Sequence, residues 1–121
     1  MYEIKVKTHF AAAHNLKNYK GKCEHLHGHN WNVEAVFAFD AVDKDGMAID
    51  FHDAKSLVSS VVEKLDHSYL NELGLLQGMN PTSENIAKFI FDAVKAKNAN
   101  LRSVSVWEND TSCATYLAGS R

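Results

Sequence analysis

Two long stretches of apolar and polar alternation, residues 2–14 and 27–39, constrain this chain more than any other feature. In the first, Ile4, Val6, Thr8, Phe10, Ala12 and His14 fall on one side of a period-two ladder. In the second, His27, His29, Trp31, Val33, Ala35, Phe37 and Phe39 do the same. Only a half-buried β-strand has that repeat. The segment between them is polar and glycine-containing, so the two strands are expected to pair antiparallel through a long loop. Asp43-Lys-Asp-Gly46 marks the turn that ends the second strand.

The period then changes. Phe51, Ala54, Leu57, Val58, Val61, Val62 and Leu65 follow helical spacing, with Asp50 placed to cap the helix. Residues 66–82 hold Asp-His-Ser-Tyr-Leu-Asn, two glycines and the only proline, and read as a functional loop or a short helical turn. Pro81-Thr-Ser-Glu84 opens a second helix to about Lys97, with Thr82 or Ser83 as its cap. Residues 101–108 alternate as a third strand, and Cys113 to Ala118 as a fourth. The order β-β-α-α-β-β predicts an α+β domain: one antiparallel sheet with two helices on one face. At 121 residues, 1–121 reads as a single domain, long enough to bury a core without disulfide staples. A four-stranded open sheet has exposed edges, so a homo-oligomer is expected.

Charge narrows the function. Thirteen Lys and Arg against fifteen Asp and Glu leave a net charge of −2. That excludes a dedicated nucleic-acid binder, which needs a basic face, while leaving room for a small pocket that takes one anion. The longest apolar runs fall well short of the roughly 20 residues of a membrane span. The N-terminal residues alternate rather than form the apolar core of a signal peptide. The expectation is a soluble, cytoplasmic protein with no membrane partner and with Cys23 and Cys113 as free thiols.

Histidine is over-represented, with seven copies, three of them in Cys23-Glu-His-Leu-His-Gly-His29. His27 and His29 are two apart on a strand and point the same way, and His14 ends the facing strand. Three imidazoles converging from adjacent strands, with a fourth position open, form the pattern of a catalytic zinc site. The plainer alternative is a set of half-buried histidines at a strand end. Gly28 is expected to bend the backbone or leave room at the metal. Cys23 has three readings: a fourth zinc ligand, an inert buried thiol, or a reactive thiolate beside the metal. Cys113 lacks such neighbours and reads as structural. Asp66 and His67 form a second candidate, since in a turn an Asp can orient the next His. The alternative is a surface loop with a capping Asp. Glu108 ends the apolar face of Val104 and Val106, where it either reaches water or meets a ligand with two parallel N–H donors. His9, His25 and His52 read as surface or loop residues, although His25, Lys20 and Lys22 are candidates to face an anionic ligand at the rim.

Together these segments resemble the 6-pyruvoyl-tetrahydropterin synthase family, including the bacterial 6-carboxytetrahydropterin synthases of queuosine biosynthesis. The resemblance covers nearly the whole chain. It is carried by Phe10-Ala-Ala-Ala-His14, by Cys23 with His27-Gly-His29, and by Ile49-Asp-Phe51. Leu65-Asp-His67 with Leu70-Asn71, Asn80-Pro-Thr-Ser-Glu-Asn85 and Val106-Trp-Glu108 complete it. It implies the tunnelling fold (T-fold), whose subunits join sheets into a barrel, with sites at subunit interfaces and commonly a hexamer of two stacked trimers. It implies that His14, His27 and His29 hold Zn2+ and that Cys23 is the proton-transferring thiolate. Asp66 and His67 then tune Cys23 from a neighbouring subunit. Glu108 binds the pterin, and Thr82 and Ser83 contribute to substrate binding. The implied substrate is 7,8-dihydroneopterin triphosphate. The compact chain and the Leu-Asp-His-x-x-Leu-Asn form favour the 6-carboxy product over the 6-pyruvoyl one. Two departures from the family pattern stand out: Asn109 replaces the usual Thr after the pterin Glu, and Glu24-His25 is unusual within the Cys segment. A zinc-stabilised oligomeric binding module is the non-enzyme alternative.

Overall fold

In a computed structural model, described here for residues 1–20 and 25–119, both alternating stretches are strands. Strand β1 (Tyr2–His14) and β2 (His27–Phe39) pair antiparallel along their full lengths, from Tyr2 opposite Phe39 to His14 opposite His27. Helix α1 (Phe51–Val62), a two-residue strand β3 (Ser68–Tyr69), helix α2 (Ser83–Lys95), β4 (Leu101–Trp107) and β5 (Cys113–Leu117) follow. The sheet order is β3-β1-β2-β4-β5.

The helices lie on one side, α1 over β1 and α2 over β4 and β5. The core fills the space between. Val6, Phe10 and Ala12 of β1 and Trp31, Val33, Ala35 and Phe37 of β2 meet Ala54, Val58, Val61 and Val62 of α1 there. Ile86, Ala87, Ile90, Phe91 and Val94 of α2 close it over Val104 and Val106. Both predicted caps form: Asp50 accepts from the His52 N–H, and Thr82 from that of Asn85. Among the described residues no helix is long and apolar enough to cross a membrane.

The structure departs from the sequence reading in three places. The sheet has five strands and is mixed, because β3 runs parallel to β1 beside Ala12 and Ala13. A clip just before β3 lays it there: the Ala11 N–H donates to Asp66 Oδ1 at 2.8 Å, and the His67 N–H to the Ala11 carbonyl at 2.6 Å. Two residues are too few to show a period. Phe51, expected on the buried face of α1, is 67% exposed. It occupies the first turn, where it lines an apolar groove with Tyr2, Ile4, Val42 and Met47. Finally, Cys113 is not a packing residue. It is an exposed free thiol at the start of β5.

Candidate active site and metal centre

The pairing of β1 with β2 sets His14 directly opposite His27, with His29 one alternation further along the same face. Because β1 and β2 keep strict register to their ends, all three rings emerge on the core side of the sheet. Trp31 fills the space beneath them. Its ring meets His14 edge-on at 4.8 Å and His29 at 5.6 Å, and its Nε1–H donates to the Ala12 carbonyl at 3.2 Å. His14 is fully buried.

The ring nitrogens are sorted by their partners. His14 Nδ1 lies 2.8 Å from the Pro81 carbonyl and His27 Nδ1 2.8 Å from the His25 carbonyl. A carbonyl only accepts, so both Nδ1 atoms carry hydrogen and both Nε2 atoms face the common centre. The two Nε2 atoms are 3.1 Å apart. Glu108, just past the end of β4, brings Oε2 to 3.4 Å from His29 Nε2 and 3.8 Å from His14 Nε2. One donor atom from each of His14, His27, His29 and Glu108 lies within 4.8 Å of every other. Three imidazoles, two of them oriented by carbonyls at Nδ1 so that Nε2 faces the centre, beside one carboxylate, fit a divalent metal ion.

Glu108 faces two ways. Its second oxygen, Oε1, accepts from Ser83 Oγ at 3.1 Å. Ser83, Glu84, Glu108, Asn109, Ser112, Cys113 and Ala114 line a polar depression beside the histidines. Of the two predicted substrate contacts at α2, Ser83 therefore lines this depression, whereas the Thr82 hydroxyl is committed to capping the helix. Asn109 Oδ1 accepts from the N–H groups of Thr111 and Ser112 and from Thr111 Oγ1, folding the turn between β4 and β5.

Asp66 and His67 form the pair that the sequence proposed. His67 takes a left-handed backbone, φ 56°, which turns its ring back onto the preceding carboxylate. Its Nδ1 stands 2.9 Å from Asp66 Oδ2. The Ala11 N–H holds the Asp66 carboxyl below its usual range; burial opposes it, and the His67 ring adds to the lowering. The His67 ring itself is 83% exposed. It borders a shallow pocket formed by Ala11, Ala13, Gly28 and Asn30. A Cβ built at Gly28 meets only the Ala12 carbonyl, at an ordinary 3.9 Å. Cys23 and Lys22 lie outside the described residues. Lys20 and His25 are exposed.

The sequence reading missed the partners of His14, Pro81 through its carbonyl and Trp31 through its ring, and the amides of Asn71 and Asn80 that hold the backbone of Asn15 and Lys17 after it. The Asn-Pro pair before α2 and the Asn closing Leu-Asn were visible, but nothing in their spacing tied them to His14.

Comparison with known proteins agrees with this layout. The family model described as 6-pyruvoyl tetrahydropterin synthase matches residues 3–118. The chain belongs to that family. A protein of Synechocystis named 6-carboxy-5,6,7,8-tetrahydropterin synthase is 38% identical over 125 residues, covering 98% of this chain and 95% of the relative. One of the same name from Haemophilus influenzae is 33% identical over 139 residues, covering 96% and 99%. The solved 6-pyruvoyl tetrahydropterin synthase of Caenorhabditis elegans superposes with a TM-score of 0.84 at 23% identity, covering 98% of this chain and 96% of that one, and shares the fold.

Proposed function

We propose that this protein is a zinc-dependent 6-carboxy-5,6,7,8-tetrahydropterin synthase of queuosine biosynthesis. It converts 7,8-dihydroneopterin triphosphate with release of acetaldehyde and triphosphate. The observation that carries the reading is the convergence of His14, His27 and His29 on one centre with the Glu108 carboxylate at its edge. Relatives that bear this name align over nearly all of the chain and support the choice of product.

In this reading His14, His27 and His29 hold the metal. Bound zinc supplies Lewis-acid polarisation of oxygen atoms on the substrate side chain. Cys23 takes and returns protons on carbon. Asp66 fixes the Nδ1–H tautomer of His67, leaving Nε2 as the atom that exchanges a proton with the thiol. The exposure of His67 suits a dyad that serves the site of a neighbouring subunit. Glu108 accepts from the parallel N–H groups of the pterin, with Ser83 fixing one carboxylate oxygen and Thr82 ordering the helix end beside it. The assembly is a homo-oligomer, a hexamer of two trimers, working in the cytoplasm as a single domain.

Product identification tests this. Zinc-loaded protein is incubated with dihydroneopterin triphosphate, with Cys23→Ala as control, and the products are read by mass spectrometry. 6-Carboxytetrahydropterin with acetaldehyde is the expected result. A 6-pyruvoyl product moves the protein to the other branch of the family. Absence of Cys23-dependent turnover favours a zinc-stabilised binding module.

A further inference from the structure

The strand ladder stops at His14 opposite His27, yet the backbone beyond it still needs hydrogen-bond partners. Two side-chain amides supply them. Asn71 Oδ1 accepts from the Asn15 N–H at 2.9 Å, and Asn71 Nδ2 donates to the Asn15 carbonyl at 2.7 Å. Asn80 repeats the arrangement two residues on: Oδ1 accepts from the Lys17 N–H at 2.8 Å, and Nδ2 donates to the Lys17 carbonyl at 3.2 Å. A primary amide has one acceptor and donors on the same plane, so each asparagine replaces one peptide of a missing neighbouring strand. The two clasps hold Asn15, just past the strand end, and Lys17, in the turn that follows.

Further bonds tighten both clasps. The Tyr69 hydroxyl donates to Asn15 Oδ1 at 2.6 Å, and Lys17 Nζ donates to the Gly78 carbonyl at 2.8 Å. The Asn80 carbonyl accepts from Asn85 Nδ2 and from the Thr82 N–H, each at 2.8 Å, which ties this peptide to the start of α2. The next carbonyl, that of Pro81, is the acceptor of His14 Nδ1. The two sides of the centre are thus joined twice: His14 to Pro81 directly, and Lys17, three residues after His14, to Asn80, the residue just before Pro81.

We infer that Asn71 and Asn80 are positioning residues for the metal centre. They fix the backbone that follows His14, keep Pro81 in register with its ring, and hold its tautomer. The inference rests on the metal-binding reading proposed above. It predicts that cutting the clasps weakens metal binding without removing a ligand.

The test uses the full-length protein with Asn80→Ala, Asn71→Ala and Asn80→Asp, with Asn98→Ala as control. Asn98 makes a comparable amide-to-backbone bond, but to Asn100, in the turn before β4. In metal-free protein, long-range proton–nitrogen NMR spectra report the His14 tautomer. With Co2+ added, visible absorption reports affinity and ligand geometry. The expected result is a single Nδ1–H tautomer in the parent and in Asn98→Ala, and a mixed signal in both asparagine-to-alanine variants. Co2+ affinity falls about 10- to 100-fold in those variants, the range typical of losing an outer partner of a metal site. Asn80→Asp keeps the acceptor but loses the donor, and falls between. Should Asn80→Ala or Asn71→Ala fail to fold, the same comparison is made on Asn80→Asp. The inference is overturned if folded variants melt at lower temperature yet keep the parent tautomer and Co2+ affinity, since the asparagines then serve stability alone. The tautomer is read without metal or substrate, so this outcome is separate from that of the turnover assay.

Discussion

His14 Nε2 and His27 Nε2 stand 3.1 Å apart while the opposite nitrogen of each ring is bonded to a backbone carbonyl. A zinc ion about 2.0–2.1 Å from each nitrogen spaces tetrahedral ligands by roughly 3.3–3.4 Å. The scaffold therefore spaces these two nitrogens close to the separation that such an ion would impose.

The first prediction concerns metal content. Purified protein is expected to carry one zinc per chain, and His27→Ala and His29→Ala to lose it, as read by elemental analysis. Both side chains are half-buried rather than core, so the metal-free variants should melt close to the metal-free parent. The β-sheet and helices already bury an apolar core without the ion. Chelation should then abolish turnover while leaving the far-ultraviolet circular dichroism intact. Unfolding on chelation supports the binding-module reading instead.

Trp31 offers an optical report of the same event. It is fully buried, stacks on Phe10 at 5.6 Å and touches both His14 and His29. Titration with Co2+ should quench its fluorescence, and the quench should survive Trp107→Phe but not Trp31→Phe. Trp31→Phe also removes the donor to the buried Ala12 carbonyl, costing about 1–3 kcal/mol of stability by denaturant titration. A quench lost in Trp107→Phe instead would place the ion elsewhere.

Much of this site was legible before any coordinates, and the reason is periodicity. Strict alternation fixes which residues share a face, so His14, His27 and His29 could be grouped from residue spacing and strand pairing alone, whereas Glu108 could be placed at a strand end but joined to them only through the family resemblance. Contacts made by loops carry no such rule. Asp66 and His67 are adjacent, and only the left-handed turn at His67 brings their side chains together. Asn71 reaches Asn15 across 56 positions and Asn80 reaches Lys17 across 63, through segments with no repeat at all. Phe51 obeyed the helical spacing and still lies outside the core: at the first residue of α1 it lines a surface groove with Tyr2 and Met47. β3 was invisible because two residues define no period.

Asp66 predicts a pH dependence. Its carboxyl is held below the usual carboxylate range first by the Ala11 N–H and then by the His67 ring. A depressed folded-state value means that the charged form is favoured by folding. The stabilisation is fully present above the unfolded value, about pH 3.9, and is lost as the pH falls through the lower folded value. Urea midpoints of the parent should therefore drop between about pH 4 and the acid limit more steeply than those of Asp66→Asn, whose side chain has no charge to lose. Equal slopes would show that the Ala11 contact does not discriminate between the two protonation states.

Glu108→Gln separates two roles that the geometry allows. The carboxylate stands against two imidazoles on one side and Ser83 on the other, next to the polar depression. As a substrate anchor it contributes a pair of charge-assisted bonds, each worth about 1.5–3 kcal/mol. Glutamine keeps the shape and the acceptor for Ser83 but loses the charge and presents one donor to the pterin N–H edge. The expected outcome is a KM raised roughly ten- to hundredfold at unchanged zinc content, measured on the same preparation by steady-state kinetics and elemental analysis. Zinc loss in parallel with activity would make Glu108 a ligand, and the open position that a substrate oxygen needs would then have to arise by displacing it.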